Sequence, residues 1–296
     1  MPLQILKVEK SPRPGSRPPD GHIEMGQSTQ IGGEIDARRS SLHARAWDPW
    51  DHGRRHLLIT FEDRASDSPF VERVWRSRSE HAGTFHSIAA CHWEMVVTRR
   101  EGRMSLNVRG PETQATTADC PAEGEWLAIR FKLGTLMPLL PPGDLRDRRD
   151  VTLPHATGRS FWLQGSAWDY PDFTNAETFV NRLVHAGLIV TDPVVDTVLR
   201  GRSQEQSTRT AQRRFLKATG VTRNTIHQIE RARHAVNLLR GGVSILDSVY
   251  EAGYYDQAHL TRSLKHFIGL TPGQILRAER QLSFLYNTQP VHADTV

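Results

Sequence analysis

The sequence predicts an α+β, multidomain chain: a β-rich sandwich or barrel over residues 55–188, then an all-α region with two helix-turn-helix units over residues 189–285. Three observations carry this reading. Short apolar runs alternate with polar residues between glycine and proline turns in the first region, as in an antiparallel sheet. Apolar residues at three- and four-residue steps, with capping residues and glycine stops, fill the second. A single pattern also occurs twice within that helical region, at an offset of 49 residues. Arg213-Arg214-Phe215 runs on to Gly220-Val221-Thr222, and Arg262-Ser263-Leu264 runs on to Gly269-Leu270-Thr271.

Residues 1–54 are rich in Pro, Gly, Ser and Arg and lack apolar periodicity, which predicts a flexible tail. The basic clusters Arg38-Arg39 and Arg54-Arg55 are read as solvated. From His56 onward Leu57, Ile59 and Phe61 alternate with other residues, as a half-buried strand does. Met95-Val96-Val97, Met104 to Val108, and Trp126 to Phe131 give further strands, punctuated by Gly102, Gly110-Pro111, Gly124 and Pro141-Pro142-Gly143. Thr174 with Glu177 three residues on has the form of a capping box. It predicts a linking helix with Phe179, Leu183 and Val184 on one face and Gly187 at its end.

The helical region follows in order. Asp192-Pro193 places a cap and then proline at the first turn. Ser207 caps a helix whose inner face is Ala211, Phe215 and Ala218, stopped by Gly220. A longer helix, roughly 223–240, carries Ile226, Ile229, Ala232, Val236 and Leu239 and ends at Gly241-Gly242. Ser244 opens a short helix, Gly253 turns the chain, and Asp256 caps the next helix with Leu260, Leu264 and Phe267 inside. Gly269 ends that helix, Thr271-Pro272 begins the last, and residues 286–296 form a C-terminal tail.

Composition narrows the function. With 38% apolar and 24% charged residues, the chain is globular, and no apolar run approaches the roughly 18 residues of a membrane span. The start, Met1-Pro2-Leu3-Gln4, lacks a basic-then-apolar leader, and two cysteines make no disulfide framework, so a cytoplasmic protein is expected. Formal charge is +5, and residues 191–285 hold 14 Lys and Arg against 8 Asp and Glu, a net of +6. The positive charge therefore sits in the helical region, where phosphate neutralisation would use it.

A helix-turn-helix needs a short helix, a tight turn, and a second helix whose outer face is free to enter a major groove about 12 Å wide. Residues 244–268 have this form, with Gln257, His259 and Arg262 facing outward and Lys265 set for a phosphate. Gln suits adenine and Arg suits guanine, because each offers paired hydrogen-bonding groups. Residues 192–219 repeat the unit, with Arg209, Gln212, Arg213 and Lys217 opposite Phe215. A rod of about sixteen residues between them spans about 25 Å. Two such helices could meet major grooves that repeat at about 34 Å on one face of DNA, so one monomer would read a bipartite site.

Residues 245–276, with Gly253-Tyr254 and Thr271-Pro272 as landmarks, resemble the second helix-turn-helix of the AraC/XylS family of bacterial transcription regulators, and Arg231 to Leu239 resembles the family's linker helix. The resemblance implies a double helix-turn-helix that binds double-stranded promoter DNA, with contact to RNA polymerase in many members. Carried over by position, Arg209, Gln212 and Arg213 match the first reading helix, and Gln257, His259 and Arg262 the second. The N-terminal half resembles, by arrangement, the cupin-like sensor regions joined to such domains, which implies a small-molecule effector or a homodimer.

Other constellations are weaker. Trp75, Trp93, Trp126 and Trp162 are read as core in preference to an effector pocket. Cys91-His92 with His86 and Cys120 lacks metal-ligand spacing, so no metal or cofactor is expected. No nucleophile motif, phosphate loop or carboxylate pair stands out, and Gly165-Ser166 lacks the spacing of a nucleophile elbow, so the chain reads as no enzyme. The alternative is a cupin-type metalloenzyme fused to a DNA-binding module, which stoichiometric bound metal would reveal. A helical protein-interaction module without DNA binding is a third reading, opposed by the outward Arg and Gln.

Overall fold

A computed structural model describes residues 59–148, 150–201 and 208–277. The expected tails at 1–54 and 286–296, the strand residue Leu57 and the Ser207 cap lie outside the described residues. The described residues fall within one compact unit. It begins β-rich and ends helical, the order the sequence predicts.

The main sheet has six strands in the order β1-β2-β7-β4-β5-β9. These are β1 (Ile59–Ala65), β2 (Val71–Ser79), β7 (Glu125–Phe131), β4 (Glu94–Arg100), β5 (Arg103–Arg109) and β9 (Val151–Thr152). Every neighbouring pair is antiparallel. Alternation along the strands divides the residues between two faces. One face carries Val74, Ile129, Met95, Val97, Leu106 and Val108, and it packs under Phe161, Phe179, Val180 and Leu183. The last four come from β11 (Ser160–Leu163) and α2 (Ala176–His185). The opposite face carries Trp75, Ala128 and Val96. The short pair β3 (Gly83–Ser87) and β6 (Thr116–Cys120) lies over it. A cavity of about 140 Å³ remains there, lined by Trp75, Phe85, Val96, Trp126, Glu94 and Arg109 among others. The remaining small elements are β8 (Thr135–Leu136), α1 (Pro142–Leu145), β10 (His155–Thr157), β12 (Ser166–Asp169) and β13 (Val190–Thr191).

Two sequence expectations change here. Trp162 is not core: its neighbours Phe161 and Leu163 point inward, so pleating sends Trp162 outward, where it is 45% exposed. Trp75 and Trp93 are buried and Trp126 is half-buried, lining the cavity as well as the core. The capping box at Thr174 and Glu177 does not form. Asp172 accepts from the backbone N–H of Thr174 and of Asn175, at 2.8 and 2.9 Å, and holds both residues in a turn. The helix α2 therefore starts at Ala176 with Asn175 before it and no side-chain cap.

Glu177 instead accepts both arms of Arg64 from β1, at 2.5 and 2.8 Å, while Arg64 Nη2 also donates to the Phe173 carbonyl at 2.8 Å. Those hydrogen bonds outweigh desolvation and hold the Glu177 carboxyl at about 2, against an ordinary value of 4.5. A depressed folded-state value stabilises above pH 4.5, and that contribution is lost as pH falls through about 2. Both side chains are partly exposed, so the pair contributes only about 1 kcal/mol. Replacing Glu177 with Gln should cost that amount at neutral pH and only a small part of it at pH 2. Denaturant titrations at the two pH values check this, and a difference that persists undiminished at low pH contradicts it.

The helical region comprises α3 (Pro193–Leu199), α4 (Thr208–Thr219), α5 (Arg223–Arg240), α6 (Ile245–Glu251), α7 (Gln257–Phe267) and α8 (Pro272–Arg277). Its core gathers Phe215, Ile226, Ile229, Val236, Leu239, Leu260, Leu264 and Phe267 around α5. Ile88, Ala89 and Cys91, from the segment after β3, are buried in the same cluster. No described helix is long and apolar enough to cross a membrane.

Candidate nucleic-acid interface

The second helix pair is built by its caps. Ser244 Oγ accepts from the Asp247 N–H at 3.1 Å and opens α6, and Asp256 accepts from the His259 N–H at 2.6 Å and opens α7. Between them Gly253 adopts φ +67, the left-handed region that a side chain resists, and the Tyr254 N–H returns to the Val249 carbonyl at 2.8 Å. Tyr254 is buried, and its hydroxyl meets Ser263 Oγ of α7 at 2.8 Å. The Arg231 guanidinium of α5 lies over the Tyr254 ring at 4.5 Å and donates to the Gly253 carbonyl at 3.4 Å. The long helix thus fixes the turn, and through Tyr254 the angle at which α7 leaves it.

The inner face of α7 is Leu260, Ser263, Leu264 and Phe267. Gln257, Arg262 and Lys265 are exposed on its outer side. His259 is half-buried, with its ring edge-on to Tyr254 at 5.1 Å, so it packs on the turn as well as facing outward. On α4, Ala211, Phe215 and Ala218 are buried, and Arg209, Gln212, Arg213 and Lys217 are exposed. Arg214 donates to Asp192 at 2.9 Å, and the same carboxylate caps α3 by accepting from the Val194 N–H at 3.0 Å. One Asp thereby joins the two helices. The rod α5 has 18 residues, capped by Thr222, whose Oγ1 accepts from the Thr225 N–H at 3.1 Å. At 1.5 Å per residue it is about 27 Å long.

Tyr255, at 90% exposure, stands directly before the cap of α7, and Tyr250 (78%) and Leu246 (61%) share the open face of α6. Sequence periodicity does not single them out. A signal was present in Tyr254-Tyr255, since a tight turn lets only one of two successive rings enter the core. The residues considered for metal do not assemble. Cys91 Sγ meets His92 Nδ1 at 3.5 Å, and His92 Nε2 lies 3.1 Å from Glu72. Burial pushes His92 down, but Cys91 and the Glu72 carboxylate overcome this and raise it to about 8. Among the described residues no three His, Cys, Asp or Glu are grouped so as to hold a metal ion.

Residues 205–278 match the family model described as a helix-turn-helix domain. This segment is a helix-turn-helix domain of the AraC type. The AraC-type match covers the two exposed faces on α4 and α7 and leaves the β-rich region outside it. No curated protein matches the chain. A solved structure of ToxT from Vibrio cholerae is 9% identical, covering 73% of this chain and 98% of that one, with a TM-score of 0.34.

Proposed function

We propose that the chain is a sequence-specific, cytoplasmic transcription regulator that binds promoter DNA through α4 and α7, set into successive major grooves. The observation that carries this is the AraC-type domain with two exposed faces bearing Arg and Gln. Arg209, Gln212 and Arg213 read one half-site; Gln257, His259 and Arg262 read the other; Lys217 and Lys265 meet phosphates. The length of α5, about 27 Å, suits grooves about 34 Å apart when the reading side chains extend beyond the helix ends. The β-rich region holds a second surface for control. A cavity of about 610 Å³, lined by Val97, Met104, Leu127 and Phe173 among others, is of a size for a small effector. Homodimer formation and contact with RNA polymerase belong to the same reading.

Selection from a random DNA pool tests it: the full chain should enrich a site with two half-sites about one helical turn apart. Enrichment of no sequence would remove the proposal. On the selected site, Lys265→Ala should weaken all sequences alike and lower the slope of log K against log salt by about 1. An unchanged slope would take Lys265 out of the phosphate contacts.

A further inference from the structure

The C-terminal ends of both reading helices rest on one segment of the β-rich region. Pro111 to Ala115 runs between β5 and β6, and it pairs with the segment after β3 by reciprocal bonds. The Ala90 N–H donates to the Glu112 carbonyl, and the Glu112 N–H to the Ala90 carbonyl, both at 2.8 Å. From this pair two backbone donors reach the end of α7. Ala89 N–H donates to the Phe267 carbonyl and Ala115 N–H to the His266 carbonyl, each at 2.8 Å. They satisfy carbonyls that the last turn of a helix leaves without a partner. The rod joins in, since Arg233 of α5 donates to the Ala89 carbonyl at 2.9 Å.

The other end of the segment meets α4. Gly220, which closes α4 at φ +77, lies so close that a Cβ there would stand 2.7 Å from the Pro142 carbonyl oxygen and 2.8 Å from Pro111 Cγ. The segment is itself braced: Asp147 N–H donates to the Pro111 carbonyl at 3.0 Å, and Thr113 N–H donates to Asp147 at 2.6 Å. Ile88 and Ala89 are fully buried against the helical core, so the contact is dry as well as hydrogen-bonded. None of it covers the outer faces, because Gln212, Arg213, Gln257, Arg262 and Lys265 stay exposed.

We infer that the Pro111–Ala115 segment, with Ala89 and Arg233, is a positioning element that sets the distance and angle between the two reading helices, so that spacing between half-sites is read through the β-rich region. The inference rests on the DNA-reading proposal. A rod alone leaves hinges at residues 220–222, where α4 meets it, and at 241–244, where it passes into α6 and so to α7; a brace touching the first hinge at Gly220 and the last turn of α7 removes the freedom those hinges would allow. One base pair added between half-sites turns the second groove by about 35°, which a braced pair cannot follow.

The test measures full-length protein on the selected site and on versions with one base pair added or removed between half-sites. Ala115→Pro removes one of the two donors to α7, and Arg233→Gln removes the link to the rod without touching the segment itself. Wild type should lose about tenfold or more for either change of spacing, within the range of a wrong base pair. Both variants should bind the selected site about three- to tenfold more weakly, and their loss on altered spacing should shrink to about twofold. If Ala115→Pro fails to fold, Arg233→Gln alone decides. A folded variant that keeps the wild-type spacing penalty overturns the inference and leaves the regulator reading intact. So does a wild type that binds its site but tolerates altered spacing. A wild type that selects no site overturns the regulator reading itself.

Discussion

Replacing Glu94 with alanine should cost ~3–5 kcal/mol of stability. Glu94 of β4 stands opposite Arg130 of β7 in the main sheet, and Arg130 Nε donates to Glu94 Oε1 at 2.8 Å. The side chains are 8% and 1% exposed. Burial alone would push the carboxyl up, but the Arg130 and Arg109 guanidiniums outweigh it and hold Glu94 below the usual carboxylate range. The charges continue across the sheet: Arg73, opposite Arg130, pairs with Asp63, and Arg109, opposite Glu94, pairs with Asp150. Remove Glu94 and Arg130 keeps a full charge in a dry interior. Its Nη2 already lacks a hydrogen-bond partner. The double variant Glu94→Leu with Arg130→Met removes both charges at similar volume and should recover most of the loss. Thermal unfolding reads the difference, with the single variant about 10 °C below the double. Equal midpoints for the two would show that the pair is not what stabilises this layer.

That pair also shows what the sequence conceals. Strands β1, β4, β5 and β7 were legible because a short apolar alternation (β1, β5) or apolar run (β4, β7) survives in one strand read alone. Strand β2, second from the edge of the sheet, was not: Glu72, Arg73, Arg76 and Arg78 surround Val71, Val74 and Trp75. Two of those charges are explained only by a neighbour, Arg73 by Asp63 and Arg76 by Glu62 on β1. The capping box failed for a related reason. Glu177 had a partner 113 residues away, and Asp172 had already taken the backbone that Thr174 would have capped. The helical region was legible nearly to its ends, because Asp192, Ser244 and Asp256 cap within three residues of themselves. Outward placement of the candidate DNA contacts followed from helical period alone. The brace at residues 89 and 115 had no signature: its donors are the backbone N–H groups of two alanines, and any non-proline residue has one.

Replacing Arg262 with alanine should remove ~1–3 kcal/mol of discrimination at one base pair and little at any other. Arg262 lies on α7 one residue before Ser263, which the buried Tyr254 hydroxyl holds at 2.8 Å, and the turn ahead of the helix is held by Arg231. Its backbone is therefore set, and only a long side chain on an exposed face is left to order on binding. A guanidinium placed so can give two parallel donors to the O6 and N7 of a guanine, a pairing no other base offers in that register. A phosphate contact would behave differently, since loss of a charge weakens every sequence alike and lowers the salt slope by about 1. Mobility shifts on the selected site and on its single-base variants, at two salt concentrations, separate the two. If Arg262 reads a base, one position of the site becomes indifferent and the salt slope barely moves. A uniform drop with a shallower slope would reassign Arg262 to the backbone. The base-reading role would then fall to Gln257 and His259, nearer the start of α7, where a helix enters the groove most deeply.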